Sequence, residues 1–266
     1  MSTHSSLPIG VFDSGIGGLS ILQALQQQLP HETFVYFSDS GFAPYGERSD
    51  AFITERSLYI SEGLQSQHQI KALVVACNTA TTVAIHALRA RWQTMPIIGV
   101  EPAIKPALAS TTSGHIAVLA TARTLASPKY QNLVSQLQGS ALVRHVACNG
   151  LAKAIEQQDT QAIEALSALY IAQALARTEQ QPAVDTLVLG CTHYPLVLPL
   201  LQKHAPASVQ WLDSASAVAK QTEAKLQALD LLAPPTQQGH TWLQTSGDSD
   251  LLQAIANRCL PQRQTA

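Results

Sequence analysis

Several features that mark common classes of protein are missing from this 266-residue chain. It has only four cysteines (Cys77, Cys148, Cys191 and Cys259), and because none form a C-x-x-C pair, neither a zinc knuckle nor a redox dithiol is predicted. No apolar run approaches the roughly eighteen residues that a transmembrane helix needs, and the N-terminus lacks a signal-peptide pattern. We therefore expect a cytoplasmic protein with reduced thiols and no membrane partner.

Charged residues are also scarce. They make up 13% of the chain, and 16 lysines and arginines against 18 aspartates and glutamates leave a net charge of −2. No basic block stands out, so nucleic acid is not expected as the main partner. Apolar residues reach 46%, which disfavours disorder and gives ample material for one large or two small cores.

Short apolar runs alternate along the chain with longer stretches of helical periodicity. This alternation, with continuously apolar strands, predicts an α/β protein whose parallel strands are covered on both faces by helices. The predicted strands are 8–12, 33–37, 71–76, 97–100, 116–120, 141–146, 184–189, 209–212 and 241–244. The predicted helices are 17–28, 49–67, 80–92, 103–110, 123–138, 149–157, 160–179, 196–203, 215–228 and 248–258.

The chain also repeats itself weakly. The similar segments are "IGVFDSG" (9–15) and "IAVLATA" (116–122), "VVACNTA" (74–80) and "VLGCTHY" (188–194), and "IIGVEPA" (97–103) and "VQWLDSA" (209–215). Chance similarity among apolar strands is the alternative explanation, but three matches in the same order favour two similar α/β halves. Because open parallel sheets bind ligands beyond the carboxyl ends of their strands, a ligand between the halves would meet one thiol from each.

Two cysteines follow predicted strands in matching contexts. Cys77 precedes Asn78 and Thr79 at the predicted start of a helix, whose dipole lowers the pKa of a thiol from about 8.5 toward neutrality. Cys191 lies two residues before His193, and a histidine there can share a proton with the thiol or with a substrate. Buried thiols followed by ordinary capping residues are the alternative, and the matched positions favour a functional pair.

The segment "FDSGIGGLS" (12–20) predicts a strand, a glycine-rich turn and a helix start, and such a turn offers backbone N–H groups to an anion. The spacing approaches a dinucleotide fingerprint, and Asp39 ends the second strand where a ribose-binding acid would lie. Ser20 replaces the last glycine, however, and Asp13 would place a carboxylate beside the pyrophosphate. Asp13 could instead accept from an ammonium group or orient a base, or it could cap the next helix together with Ser14.

Two matched thiols on opposite sides of a small ligand suit a particular proton transfer. One thiol removes a proton and the other delivers one to the opposite face, which inverts a stereocentre. No nicotinamide, pyridoxal or metal motif is convincing, so we expect no cofactor and no metal ion.

The segments "GVFDSGIGGLS", "PYGERS", "ACNTA", "GVEPA" and "LGCTHYPL" closely resemble those of glutamate racemases, in the same order from about residue 8 to 215. These racemases need no cofactor and make D-glutamate for peptidoglycan. The resemblance implies two similar parallel-sheet α/β domains with the active site in the cleft between them. It also implies that the C-terminal segment returns to the first half, giving domains of residues 1–98 plus 212–266 and of residues 99–211.

The resemblance also implies residue roles. Cys77 and Cys191 would be the catalytic acid/base thiols, with Cys191 acting on L-glutamate and Cys77 on D-glutamate. Asp13 and His193 would assist them on their respective sides, and Glu156 would support the second side, although the residues around it depart from the usual family pattern. The residues in contact with glutamate would be Asp13, Ser14, Tyr45, Gly46, Asn78, Thr79, Thr192 and His193. Glutamate is thus the expected small-molecule partner, and a homodimer is the expected assembly.

Other functions stay open on the sequence. A racemase of aspartate or another small amino acid would share the fold, although His193 matches the glutamate branch. A Cys–His hydrolase would use one cysteine as a nucleophile and leave the paired motif unexplained. A non-catalytic two-lobed binding protein or an NAD-dependent oxidoreductase would leave both cysteines without a purpose.

Overall fold

The computed structural model describes residues 3–177 and 179–261. The chain divides into two compact units. The first contains the residues up to Val100 and those from Ala215 onward, and the second is Glu101–Ser214. Each unit has its own sheet.

Nine strands form within the described residues, close to the positions predicted from the sequence. They are β1 (Ile9–Asp13), β2 (Phe34–Ser38), β3 (Ala72–Val75), β4 (Ile97–Gly99), β5 (His115–Ala120), β6 (Leu142–Ala147), β7 (Thr186–Leu189), β8 (Gln210–Leu212) and β9 (Thr241–Thr245). Sheet A of the first unit has the order β4-β3-β1-β2-β9, and sheet B of the second has the order β6-β5-β7-β8. All neighbouring strands are parallel, which confirms the predicted fold class.

The two sheets share an internal strand order. Sheet B, read in reverse as β8-β7-β5-β6, matches the β4-β3-β1-β2 portion of sheet A. β1 therefore corresponds to β5, β3 to β7 and β4 to β8, which are the strands that the three sequence matches paired. The repeat predicted from the sequence is confirmed at the level of topology.

The α-helices of the described residues follow the strands, as expected for parallel connections. They are α1 (Leu19–Gln28), α2 (Asp50–His68), α3 (Asn78–Arg91), α4 (Ile104–Ser110), α5 (Ala122–Ala126), α6 (Pro128–Leu137), α7 (Leu151–Glu156), α8 (Thr160–Leu175), α9 (Leu198–Lys203), α10 (Ala215–Ala228) and α11 (Ser249–Cys259).

Two predicted helices differ from the observed ones for identifiable reasons. The predicted helix 123–138 is split, because Ser127 is extended before Pro128 and proline disfavours helical geometry in the residue before it. The predicted helix 160–179 ends at Leu175, where the Arg144 guanidinium donates to the carbonyls of Ala174 and Ala176 and so caps the last turn. Residue 178 of that prediction lies outside the described residues.

Apolar side chains from strands and helices form a core in each unit. In the first unit, Phe12, Val35 and Leu73 of sheet A belong to one buried cluster with residues of α2 and α3. In the second unit, Ile116 and Val188 of sheet B lie in a cluster with residues of α4 and α6. No helix within the described ranges is long and apolar enough to cross a bilayer.

The segment after α10 contributes the fifth strand of sheet A. β9 pairs in parallel with β2, from Phe34 opposite Thr241 to Ser38 opposite Thr245. A buried hydrogen bond of 2.8 Å from Gln26 Nε2 to Thr241 Oγ1 links this strand to α1. Residues more than 200 positions apart in sequence thus form one sheet edge.

Candidate active site

The carboxyl edge of sheet A carries the first group of predicted site residues. Asp13 ends β1, and Cys77 follows β3 by two residues. Backbone bonds align these strand ends: Asp39 N donates to Asp13 O at 2.9 Å, and Ala76 N donates to Phe12 O at 2.8 Å. Since parallel strands end at the same edge, the side chains that follow β1, β2 and β3 are neighbours.

The Cys77 thiol lies at the N-terminus of α3, as the sequence predicted. Cys77 is the N-cap residue, and its sulfur accepts a hydrogen bond from Ala80 N at 3.4 Å. The thiol also lies 3.5 Å from Ser14 Oγ, to which it donates. A helix N-terminus favours negative charge, so this environment stabilises the thiolate that proton abstraction requires.

Asp13 is fully buried next to Ser14, the hydroxyl partner of the Cys77 thiol. Its Oδ1 accepts from Gly15 N at 2.8 Å and from Ser14 Oγ at 3.3 Å. Helix α1 begins after Gly18, which has no side-chain cap, so Asp13 and Ser14 do not cap that helix. The carboxylate instead fixes the turn that presents the Ser14 hydroxyl to Cys77.

Asn78 and Thr79 begin α3 directly after the thiol and are both buried. Asn78 is 4% exposed, and its amide Nδ2 has no hydrogen-bond partner among the described residues. A buried donor without an acceptor costs about 1–3 kcal/mol. A ligand carboxylate or carbonyl at this position would satisfy it.

Tyr45 and Gly46 lie in the loop between β2 and α2. The Tyr45 side chain is 1% exposed, and its phenol donates to Asp39 Oδ2 at 2.6 Å. Burial and the neighbouring carboxylate raise the pKa of Tyr45 well above its ordinary value. The phenol is thus an anchor that holds the loop to the Asp39 carboxylate.

Asp39 does not have the role that the dinucleotide alternative would require. Its carboxylate is buried and accepts hydrogen bonds from Tyr45, from two nitrogens of Arg56 and from Ser246. Each oxygen accepts two of these bonds, which leaves no acceptor positioned for a ribose hydroxyl. No local signal in the sequence marked Arg56 or Ser246 as partners of Asp39.

The second unit places Cys191 at the equivalent strand end. It follows β7 by two residues, and Gly190 lies between them. A Cβ on Gly190 would lie 3.0 Å from Ala120 Cβ and 3.0 Å from Leu119 O, so the glycine permits a close approach of β7 to β5. The Cys191 side chain is buried, as is that of Thr192 beside it.

A chain of three groups runs from the Cys191 thiol to a carboxylate. His193 Nδ1 lies 3.7 Å from Cys191 Sγ, and His193 Nε2 lies 2.5 Å from Glu156 Oε1 at the end of α7. Burial alone lowers the pKa of His193, but its bonds to Cys191 and Glu156 raise that pKa well above its ordinary value. Each ring nitrogen of His193 thus lies against a proton-handling group, the sulfur on one side and the carboxylate on the other.

The other two cysteines differ from this pair. Cys148 is 2% exposed, its thiol donates to Val146 O at 3.5 Å, and burial raises its pKa. The N-cap of the following helix is Gly150, so Cys148 does not lie at a helix N-terminus as Cys77 does. Burial also raises the pKa of Cys259. Neither environment favours a thiolate.

Metal-ligating side chains do not gather in either unit: residues 3–177 and 179–261 contain no group of three or more His, Cys, Asp or Glu suited to an ion. What each unit offers is a thiol at the carboxyl edge of its sheet. Cys77 has Ser14 and a helix N-terminus beside it, and Cys191 has the His193 ring. Each arrangement can take up and release a proton.

Two repeated α/β units with a thiol after the third strand of each define a class of racemases. A family model described as Asp/Glu/hydantoin racemase matches residues 9–222, and the chain belongs to this family. Within it, the glutamate racemase of Ectopseudomonas mendocina (strain ymp) is 44% identical over 253 residues, covering 95% of this chain and 94% of the relative. The resemblance to glutamate racemases predicted from the sequence is thereby confirmed.

Solved structures of glutamate racemases are similar over nearly the whole chain. The RacE1 isoform from Bacillus anthracis has a TM-score of 0.83 and 32% identity, covering 96% of this chain and 94% of its own. The Escherichia coli enzyme, solved with L-glutamate and the activator UDP-MurNAc-Ala, has a TM-score of 0.78 and 30% identity, covering 95% of each chain.

Proposed function

We propose that this protein interconverts L- and D-glutamate by a two-base mechanism with Cys77 and Cys191, without a cofactor. The observation that carries the proposal is the pair of buried thiols at equivalent strand ends, each with its own proton-handling partner. The 44% identity to a glutamate racemase over 95% of the chain supports glutamate as the substrate.

In the direction from L- to D-glutamate, the Cys191 thiolate removes the proton from Cα. The Cα–H bond breaks, an S–H bond forms, and the electron pair is delocalised into the substrate carboxylate. The Cys77 thiol then gives its proton to the opposite face of Cα, which leaves Cys77 as the thiolate. The reverse direction exchanges the two roles, so D-glutamate meets Cys77 as the base.

The neighbouring groups tune these two thiols in different ways. The His193 imidazolium, held by Glu156, stabilises negative charge on Cys191 before proton abstraction from L-glutamate and, in the reverse direction, after Cys191 has given up its proton. On the other side, Asp13 orients Ser14 toward Cys77, and the N-terminus of α3 stabilises the thiolate.

Substrate binding is assigned to polar groups beside the thiols. The buried Asn78 amide, whose Nδ2 lacks a partner among the described residues, donates to a substrate carboxylate. The hydroxyls of Ser14, Thr79 and Thr192 and the main chain of Tyr45 and Gly46 supply further contacts, and Asp13 and His193 complete the set. These groups suit a small dicarboxylic amino acid, and the similarity to glutamate racemases favours glutamate over aspartate.

Further expectations belong to the same proposal. D-glutamate would supply peptidoglycan synthesis in the cytoplasm, and the protein would assemble as a homodimer. The two compact units would be its two domains.

The test is racemisation of L-glutamate followed by circular dichroism, with no cofactor added. The ellipticity should decay to zero for the wild type, and both Cys77→Ser and Cys191→Ser should lose more than about 10²–10⁴-fold in rate, because inversion needs a base and an acid together. Cys148→Ser and Cys259→Ser are the matched controls and should stay active. Activity that returns only with added pyridoxal phosphate would contradict the proposal, as would loss of racemisation in Cys148→Ser or Cys259→Ser.

A substrate analogue with a leaving group on Cβ separates the two thiols. Each serine variant retains one base, so it should still eliminate the leaving group from the enantiomer that its remaining thiol deprotonates. Cys77→Ser should act on the L form and Cys191→Ser on the D form. The opposite pattern would reverse the assignment of thiols to faces.

A further inference from the structure

We propose that Arg56 and Ser246 are positioning residues for glutamate binding. They act through the Asp39 carboxylate and hold the loop of residues 39–48, which carries the Tyr45–Gly46 main chain. The inference rests on the proposed function, because it assigns a purpose to that loop as part of the glutamate site.

The buried Asp39 side chain lies at the centre of a hydrogen-bond network in the first unit. Its Oδ1 accepts from Arg56 Nη2 at 2.6 Å and from Ser246 Oγ at 2.7 Å. Its Oδ2 accepts from Tyr45 Oη at 2.6 Å and from Arg56 Nε at 3.1 Å. The carboxylate is thus fully coordinated, and every partner comes from a different segment of the chain.

Arg56 is suited to this network in a way that lysine is not. Its guanidinium binds both carboxylate oxygens, and it also lies over the Phe42 ring, 4.0 Å from the ring centroid. The side chain of Arg56 is 16% exposed and that of Asp39 is not exposed, so the ion pair is largely shielded from water. A planar fork can hold two oxygens and an aromatic face together, whereas an ammonium group acts as a point charge.

Ser246 ties the loop to the C-terminal strand. It follows β9, and its hydroxyl donates to Asp39 and accepts from Gly41 N at 3.1 Å. A Cβ on Gly41 would lie 2.6 Å from Ser246 O, so only glycine allows this approach. The C-terminal segment therefore fixes the start of the loop, and Arg56 with Asp39 fixes its middle through the Tyr45 phenol.

The network reaches the site through the Tyr45 side chain. Tyr45 and Cys77 belong to the same buried cluster, so the phenol anchors the loop against the thiol side of the sheet edge. Loosening the phenol from Asp39 would shift the main chain of Tyr45 and Gly46 relative to Cys77. A shift of this kind weakens ground-state binding while the thiols and their proton partners stay in place, so it should raise KM more than it lowers kcat.

The test compares Arg56→Gln, Arg56→Lys and Ser246→Ala with the wild type in racemisation of both enantiomers. The matched control is Arg91→Gln, which breaks an exposed pair with Glu62 at 3.0 Å in the same unit. KM for L- and D-glutamate should rise about three- to thirtyfold in Arg56→Gln and about two- to fivefold in Ser246→Ala, with kcat per folded molecule changed less than about twofold. Arg56→Lys should lie between them, and the control should match the wild type.

Amide hydrogen exchange of residues 40–48 gives a readout that needs no activity. Exchange should be faster in the Arg56 and Ser246 variants and unchanged in Arg91→Gln. If Arg56→Gln fails to fold, Ser246→Ala and Arg56→Lys still test the proposal. Asp39 keeps the Arg56 guanidinium in the first variant and a cationic side chain in the second.

The possible outcomes separate the two proposals. Unchanged KM values in folded variants that racemise normally would overturn the positioning role alone, as would a lower melting temperature with no change in KM. A fall in kcat without a rise in KM would overturn it too. A wild type that does not racemise glutamate, with faster loop exchange in the variants, would overturn the proposed function and leave the anchoring of the loop supported.

Discussion

The replacement Glu156→Gln isolates one charge in the Cys191 half of the site. The Glu156 carboxylate lies 2.5 Å from His193 Nε2, and the two side chains are 10% and 3% exposed. Glutamine has nearly the same shape and keeps an oxygen that can accept from Nε2. The substitution therefore removes the negative charge and leaves the hydrogen bond possible.

The size of the effect follows from the strength of such bonds. A hydrogen bond to a charged group contributes about 1.5–3 kcal/mol, and a charge-assisted bond is about twice as strong as a neutral one. The change to glutamine thus costs about 0.7–1.5 kcal/mol of support for the imidazolium. If that support stabilises charge in the transition state, kcat/KM falls about three- to tenfold. Because the equilibrium constant of a racemisation is one, the loss must be equal for both enantiomers.

The pH dependence has a definite sign. Bonds to Cys191 and Glu156 raise the pKa of His193 against the effect of burial, and losing the charge on Glu156 lowers that pKa again. The alkaline limb of the kcat/KM profile should therefore move to lower pH in Glu156→Gln. The stabilisation of the fold by this pair is complete below the ordinary histidine pKa of about 6.5 and is lost as the pH rises through the raised pKa of His193. The difference in melting temperature between wild type and variant should therefore become smaller as the pH rises.

The assay is kcat/KM for both enantiomers as a function of pH, with thermal melts at the same pH values. Glu164→Gln is the matched control, because Glu164 also binds a histidine in the second unit, His204, at 3.0 Å, but on a more exposed surface. The control should leave the profile unchanged. A Glu156→Gln profile that coincides with the wild type, or an equal shift in the control, would refute a role for Glu156 in charging His193.

Two further predictions concern the second unit away from the thiol. Asp185 precedes β7 and accepts from Thr111 Oγ1 at 2.6 Å and from the amides of Thr112 and Ser113 at 2.8 Å each, and these donors lower its pKa although burial raises it. Asp185→Asn should reduce the free energy of unfolding by about 1–3 kcal/mol near pH 7. The difference between wild type and variant should vanish as the pH falls through the lowered pKa of Asp185, which lies well below the ordinary value of about 3.9. Denaturant titration at several pH values measures this difference, and a difference that does not change with pH would contradict the prediction. Tyr130 is 2% exposed, and its hydroxyl has no hydrogen-bond partner among the described residues. Tyr130→Phe should therefore leave the free energy of unfolding unchanged or raise it by about 1 kcal/mol, and a clear loss in the same titration would reveal a partner for the hydroxyl.

The strands, most of the helices and the two functional thiols can be predicted from the amino-acid sequence without a structure. Continuous apolar runs and helical periodicity are local properties of the chain, so all nine strands were predicted near their observed positions. The polar residues after β3 and β7 can also be recognised from the sequence. Cys-Asn-Thr and Cys-Thr-His differ from the residues that usually follow a strand in a turn. The repeat alone predicts that both thiols lie at equivalent sheet edges.

The pairing of polar groups from distant parts of the chain is visible only in the folded structure. His193 and Glu156 are 37 residues apart, and Asp39 and Ser246 are 207 residues apart, yet each pair is joined by a short hydrogen bond. Only the family resemblance pointed to Glu156, and nothing in the sequence pointed to Ser246. Periodicity reports which face of an element is buried, because burial repeats with the geometry of helix or strand. The partner of a buried charge depends instead on how distant segments return to the same edge of a sheet, and that has no local pattern.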